Sequence, residues 1–208
     1  VMLILMSIRK MKRILERTNI QDYTLEGIQG RELKDLTVGV IGTGRIGRTV
    51  ISNLSGFGCR ILAYDLYENE EVKRYGQYVS LEELWKEADV ITMHTPLTEE
   101  NFHLVNEKTL SQMKDGVVIV NTARGALIDS EALIAGIENG KIGAAALDVV
   151  ENEFGLYYYD HKSDVLSNRE LAILRGFPNV TVSHHMAFYT DNYTKTVVRD
   201  SLSSCKLF

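Results

Sequence analysis

The sequence predicts an α/β fold, a doubly wound parallel sheet with helices on both faces, and three observations carry that prediction. Strand-like apolar runs alternate with helical patterns and short links, which calls for a parallel sheet with crossover helices. Val117-Val118-Ile119-Val120 is an unbroken β-branched run, expected of a strand covered on both faces. Thr37 to Gly47 reads as a strand, a glycine turn and the first turn of a helix, with Gly42, Gly44 and Gly47 at G-x-G-x-x-G spacing.

Each glycine of that turn has a physical task. Gly42 lets the chain turn sharply, Gly44 leaves room for a pyrophosphate, and Gly47 lets the helix pack close to the strand. The helix, residues 45–57, opens at Arg45 and Ile46 and aims its free N–H groups at the anion. A second strand, residues 59–64, ends at Asp65, about 20 positions beyond the motif. A carboxylate there accepts both ribose hydroxyls of adenosine and repels a 2′-phosphate, which favours NAD over NADP. The first half of the chain is therefore Rossmann-like.

Composition narrows the class. At 208 residues and 45% hydrophobic the chain suits one domain with a substantial core. A formal net charge of −5 leaves no basic footprint for nucleic acid. Two cysteines, Cys59 and Cys205, make no disulfide framework, so a reducing cytoplasm is expected, with Cys59 packing as a small apolar group. Residues 1–6 are apolar and Arg9, Lys10, Lys12 and Arg13 follow them. That order is wrong for a signal peptide, and the run is too short to span a bilayer, so no membrane partner is expected. The better reading is one helix buried on one side, with Ile8, Met11, Ile14 and Leu15 continuing its apolar face. Such a helix has no partner before residue 37, which suggests a piece excised from a longer chain.

The remaining elements follow in order. Residues 16–36 read as a polar surface connection leading into the first strand, and a polar loop rich in Glu and Tyr follows Asp65. Ser80 and Glu83 form a capping box for a short helix through Trp85, itself a packing residue. The strand of residues 89–94 is stopped by Thr95-Pro96. Asn106 caps a helix to about Met113, and Asp115-Gly116 turns the chain into the β-branched run. Asp129 or Ser130 caps a helix over 131–138 that Gly140 ends, and small residues fill the strand of 143–150. An aromatic stretch, 154–159, precedes a helix near 168–175, the short strand 180–182, and a helical tail from Thr190. The expected division is a helix and connection over 1–36, the nucleotide core over 37–189 and a C-terminal helix over 190–208.

In such sheets ligands sit beyond the carboxyl ends of the strands, and three groups there could do chemistry. Arg124, in Asn121-Thr122-Ala123-Arg124-Gly125, either holds a carboxylate by two parallel hydrogen bonds or closes a helix–strand contact. Glu153 and His185 offer a carboxylate and an imidazole, the usual acid–base device near neutral pH. The adjacent His184 and His185 do not match metal-ligand spacing, so no metal is expected.

These stretches together resemble the NAD-binding domain of the D-isomer-specific 2-hydroxyacid dehydrogenases. The matches are the glycine motif with Asp65, His94-Thr95-Pro96-Leu97-Thr98, Asn121 to Gly125, Ala146-Leu147-Asp148-Val149, and His185 with Ala187, across roughly residues 30 to 195. Glu151-Asn152-Glu153 without a following Pro, Phe154 to Tyr157, and Phe188-Tyr189 resemble the D-lactate and D-2-hydroxyisocaproate dehydrogenase branch. The resemblance implies that Arg124 binds the 2-oxo acid carboxylate, that His185 exchanges the proton, and that Glu153 keeps His185 protonated. It places Asp148 near the nicotinamide, Arg45 and Ile46 over the pyrophosphate, and Asp65 on the ribose. It lines the cofactor with His94, Thr95, Pro96, Asn101, Thr122 and Ala123, and puts Phe188 near the substrate side chain. His184 stands where the family usually has Pro. The implied reaction is NADH-dependent reduction of a small 2-oxo acid to the D-2-hydroxy acid, pyruvate to D-lactate first. A bulkier acid such as 2-oxoisocaproate or phenylpyruvate, and a non-catalytic NAD-sensing scaffold, are the alternatives. The family's substrate-binding domain would lie outside this chain, and the nucleotide domain would form a homodimer. The chain alone is expected to bind NADH and turn over poorly.

Overall fold

The computed structural model describes residues 1–205. The strands are β1 (Thr37–Ile41), β2 (Arg60–Tyr64), β3 (Gln77–Tyr78), β4 (Val90–Met93), β5 (Val117–Asn121), β6 (Ile142–Leu147) and β7 (Val180–Val182). The helices are α1 (Met2–Ile8), α2 (Met11–Asn19), α3 (Arg45–Ser55), α4 (Leu81–Glu87), α5 (Glu107–Gln112), α6 (Ser130–Glu138), α7 (Arg169–Gly176) and α8 (Asp191–Cys205). The strands form one parallel sheet in the order β3-β2-β1-β4-β5-β6-β7. This is the doubly wound, Rossmann-like sheet that the sequence predicts.

The sheet separates two cores. Val117 and Ile119 of β5 face one, with Leu84 and Trp85 of α4, Leu133 of α6 and Leu174 of α7. Val118 and Val120 face the other, with Leu3, Ile4 and Ile8 of α1 and Ile51 and Leu54 of α3. Alternate side chains of a strand point to opposite faces, so burial on both sides requires the unbroken branched run. The order reverses between β1 and β4, because the chain winds outward through β2 and β3 and then returns. The crevice beyond the carboxyl ends of β1 and β4 is therefore where a ligand fits such a sheet.

Several local expectations are corrected. The N-terminal helix is two helices. Lys10 adopts left-handed φ (+53) between α1 and α2, its ammonium donates to the Gly27 carbonyl, and α2 buries no residue. The apolar face thus ends at Ile8, and Leu15 is exposed. In keeping with a helix that has no partner before residue 37, α1 packs on β5, β6 and β7. Lys12 secures α2 to the same sheet edge, donating to the carbonyls of Phe177 and Val180 at 2.8 Å each. The loop after Asp65 contains the edge strand β3, too short to show an alternating pattern. At α4 only half of the capping box forms among the described residues: Glu83 N–H donates to Ser80 Oγ at 3.2 Å. A complete box occurs instead at α5, between Asn106 and Thr109, and Asp129 rather than Ser130 caps α6. The expected tail helix runs to Cys205, and 206–208 lie outside the described residues.

Candidate active site

The glycine turn shows three different demands. At Gly42, where φ is +90, an added Cβ would lie 2.6 Å from the His94 carbonyl carbon, and at Gly47 it would run into the Gly42 carbonyl oxygen. These two positions are small because the protein fills the space. At Gly44 an added Cβ would meet no protein atom within 4 Å, and the first turn of α3 opens there with Arg45 and Ile46 exposed. Open space next to unpaired helix N–H groups suits a pyrophosphate, so the residues present fit a dinucleotide.

Asp65 follows β2 and reaches back to the turn. Its Oδ2 accepts the Thr43 N–H at 2.5 Å and the Thr43 hydroxyl at 3.1 Å, while Oδ1 takes the Tyr67 N–H at 3.3 Å. Tyr78 of β3 adds its hydroxyl to Thr43 Oγ1 at 2.8 Å. Thr43 and Tyr78 thus set both the glycine turn and the Asp65 carboxylate. The sequence does not single out Tyr78, because β3 is too short to show a strand pattern.

The loop after β4 carries His94, Thr95, Pro96 and Asn101. Asn101 spends its amide on the loop itself, accepting from Thr98 N–H at 2.7 Å and donating to the Pro96 carbonyl at 2.8 Å. It shapes the loop on which Thr95 and Pro96 sit. His94 Nε2 lies 3.0 Å from the Thr92 hydroxyl. Burial pushes the His94 imidazole down from 6.5 to about 4. Between those values the unfolded chain binds a proton that the folded one does not. Stability is therefore complete above about pH 6.5 and is lost as the pH falls towards 4, by on the order of 2–3 kcal/mol. Urea unfolding followed across that range should show the loss, and His94→Gln should remove that part of it. An identical acid limb in the variant would refute the assignment.

Arg124 stands three positions past β5, on a loop held by a buried asparagine. Asn121 is 0% exposed, accepts from the Ala123 N–H at 3.0 Å and donates to the Arg124 carbonyl at 2.8 Å. One guanidinium nitrogen returns to the Ala123 carbonyl at 2.7 Å, and the residue is otherwise exposed at the sheet edge beside Thr122. An added Cβ on Gly125 would strike the Val150 carbonyl, so only glycine lets this loop lie against the one after β6. Asn121 is a positioning residue that the strand pattern hid. Its signal was an amide closing an otherwise apolar strand.

Asp148, 1% exposed, holds the His185 turn. Its Oδ1 accepts from the Ser183 hydroxyl at 2.5 Å and the Met186 N–H at 2.8 Å, and Oδ2 accepts from the Ala187 N–H at 2.8 Å. Its carbonyl accepts the His185 N–H at 2.8 Å. A buried carboxylate needs such donors. The Asp148 carboxylate, expected near the nicotinamide, is engaged by this turn. His185 has φ +57, and the Asp148 bonds around it hold the left-handed conformation. Its Nδ1 lies 3.4 Å from Glu153 Oε1, and Glu153 Oε2 accepts the Val150 N–H at 3.1 Å. The rings of Phe188 and Tyr157 meet the imidazole edge to face, with centroids 5.9 and 6.3 Å away. Tyr158, which the sequence left unassigned, donates its hydroxyl to the His185 carbonyl at 2.9 Å.

A dinucleotide turn, an exposed arginine and a carboxylate–imidazole pair thus share one sheet edge. Residues 1–187 match the family described as D-isomer specific 2-hydroxyacid dehydrogenase, NAD binding domain. The chain belongs to this family. The match begins at residue 1, so α1 and α2 lie within the matched domain, ahead of the resemblance seen from about residue 30. An aromatic 2-oxoacid reductase of Clostridium sporogenes is 47% identical over 96% of this chain and 61% of its own. A D-lactate dehydrogenase structure from Treponema pallidum superposes with a TM-score of 0.92 at 37% identity, covering 97% of this chain and 61% of that one. The D-lactate dehydrogenase of Aquifex aeolicus, solved with NAD and lactic acid, gives 0.90 at 38% identity, over 98% and 62%. The chain thus spans about three-fifths of the length of these relatives. NAD is the cofactor of the family's domain, in agreement with the space beside Gly44 and the carboxylate at Asp65.

Proposed function

We propose that the complete protein carrying this domain is an NAD-dependent dehydrogenase that reduces a 2-oxo acid to the D-2-hydroxy acid. The observation that carries this reading is the His185–Glu153 pair, 3.4 Å apart, on the sheet edge that also presents Arg124. Arg124 takes the substrate carboxylate and so orients the neighbouring carbonyl. His185 donates its proton to the carbonyl oxygen, and Glu153 fixes the ring through Nδ1 so that Nε2 is the reacting atom. Bound NADH supplies the hydride that the carbonyl carbon receives. Gly42, Gly44, Arg45, Ile46 and Gly47 hold the pyrophosphate and Asp65 the ribose. His94, Thr95, Pro96, Thr122 and Ala123 line the cofactor, with Asn101 supporting their loop. Asp148 acts by holding the His185 turn.

We assign an aromatic 2-oxo acid ahead of pyruvate. Phe188, Tyr157 and Tyr193 build an aromatic cluster beside His185, and the relative at 47% identity is named for aromatic 2-oxo acids. Pyruvate is the second reading, supported by the D-lactate dehydrogenase structures. Residues 37–189 act as the nucleotide core, and a further, substrate-binding domain completes the cleft, as the greater length of the relatives suggests. Exposed Leu15, Ile20, Tyr23 and Leu25 on and after α2 offer apolar surface for a homodimer. Two free cysteines suit a cytoplasmic protein.

The test is NADH oxidation by the complete protein with phenylpyruvate, 2-oxoisocaproate and pyruvate in parallel. The expected kcat/KM for phenylpyruvate exceeds that for pyruvate by about tenfold or more, the range that burial of an extra apolar group supplies. The reverse order gives D-lactate dehydrogenase. Tight NADH binding with no turnover of any acid would refute the enzyme reading in favour of a scaffold.

A further inference from the structure

Away from the residues assigned above, one side-chain cluster ties together the three loops of the site edge. His103 lies on the loop after β4, Asp129 on the loop after β5, and Glu151 on the loop after β6. His103 Nε2 is 2.7 Å from Glu151 Oε1, and its Nδ1 is 3.7 Å from Asp129 Oδ2. The second oxygen of Glu151 accepts the Ser130 N–H at 3.0 Å, where Asp129 caps α6. The Phe102 ring lies flat on the imidazole, with centroids 3.9 Å apart and planes 18° apart.

The backbone shows how much is invested in this placement. His103 has φ +50, in the left-handed region that histidine seldom adopts. Its N–H donates to the Ala126 carbonyl at 2.9 Å, and Asn106 Nδ2 donates to its carbonyl at 2.8 Å. Val105 and Ile128 add an isolated parallel bridge. These bonds join the first loop to the second, and the imidazole carries the connection on to the third. An ionised Glu151 accepts only, so the imidazole is the donor in this contact. Glu151 is also joined to Glu153 through Asn152, whose φ of +54 makes a tight turn. Fixing both oxygens of Glu151 therefore fixes the turn that presents Glu153 to His185.

We propose that His103 is a positioning residue for the reaction: by bridging Glu151 and Asp129 it holds the loops bearing Arg124 and Glu153 at their working separation. The inference rests on the roles given above to Arg124 and Glu153, and its test separates the two. His103→Ala, His103→Gln and Glu151→Gln are made in the complete protein. Backbone hydrogen exchange is read over residues 122–129 and 148–153, alongside KM for the 2-oxo acid and the Kd for NADH.

In His103→Ala, exchange in both ranges should rise by about tenfold and KM by about tenfold, with NADH binding within about twofold. The Gln variant should recover most of this, because its side-chain amide can donate to Glu151. Adding His103→Ala to Glu151→Gln should cost less than His103→Ala does alone, since the Glu151 contact is already weakened. Unchanged exchange over 148–153, an unchanged KM, or a Gln variant no better than Ala would each overturn the proposal. Faster exchange in a protein that reduces no 2-oxo acid would leave the bridge standing and remove the assigned reaction.

Discussion

His185→Asn in the complete protein is expected to lower kcat for 2-oxo acid reduction by about a thousandfold, the middle of the range for a general acid. The NADH dissociation constant should stay within about twofold, because the glycine turn and Asp65 lie on other strands. Asparagine is the informative replacement. His185 sits at φ +57, and asparagine tolerates the left-handed region better than most side chains. The bonds that shape the turn come from Asp148 to backbone N–H groups and Ser183, and they survive the substitution. The loss would then report the missing imidazole and not a collapsed loop. Glu153→Gln keeps the size and one acceptor at the imidazole, so a smaller loss, roughly ten- to a hundredfold, is expected. A kcat within tenfold of wild type in His185→Asn, with stability unchanged, would remove this residue from the chemistry.

The second large effect separates two glycines of one motif. Gly44→Ala should fold with an unchanged melting temperature and bind NADH at least about tenfold more weakly, a change of roughly 1.4 kcal/mol. Its backbone (φ −62, ψ −167) suits an alanine, and no protein atom lies within 4 Å of the new methyl group, so the methyl meets only the cofactor. Gly47→Ala drives its methyl group into the Gly42 carbonyl at the close approach of α3 to β1. It should cost about 2–4 kcal/mol of stability, the range of severe core overpacking and strain, and lose NADH binding with it. Calorimetry and NADH fluorescence titration on the same samples distinguish the two cases. Equal loss of stability in both variants would show that the space beside Gly44 is not a binding space.

The patterns that were legible are those in which a short local run carries the physics. The β5 run shows burial on both faces, the glycine spacing shows a tight turn under a helix, and Asn106 and Asp129 each cap the helix that follows. Elements that depend on distant partners were harder to read. The apolar periodicity of residues 1–15 continues past Ile8, yet the helix breaks at Lys10. Lys12 reaches carbonyls around β7, and Lys10 reaches Gly27, contacts that no local period encodes. β3 pairs through only two residues and leaves no alternation to detect.

The same division holds at the site. Arg124, Glu153 and His185 could be located from the chain because each stands just past a strand, and parallel strands present those ends on one edge. Residue types and intervals along the chain were enough to indicate an NAD-binding sheet and an acid–base pair. They could not assign the groups that hold those side chains in place. Asn121 clasps the Arg124 loop, Asp148 is engaged by the His185 turn, and His103 bridges Asp129 and Glu151. A polar side chain at a strand end looks the same in one dimension whether it faces a ligand or a neighbouring loop. The packing of adjacent strands decides between them, because burial obliges each such group to find its donor or acceptor inside the protein.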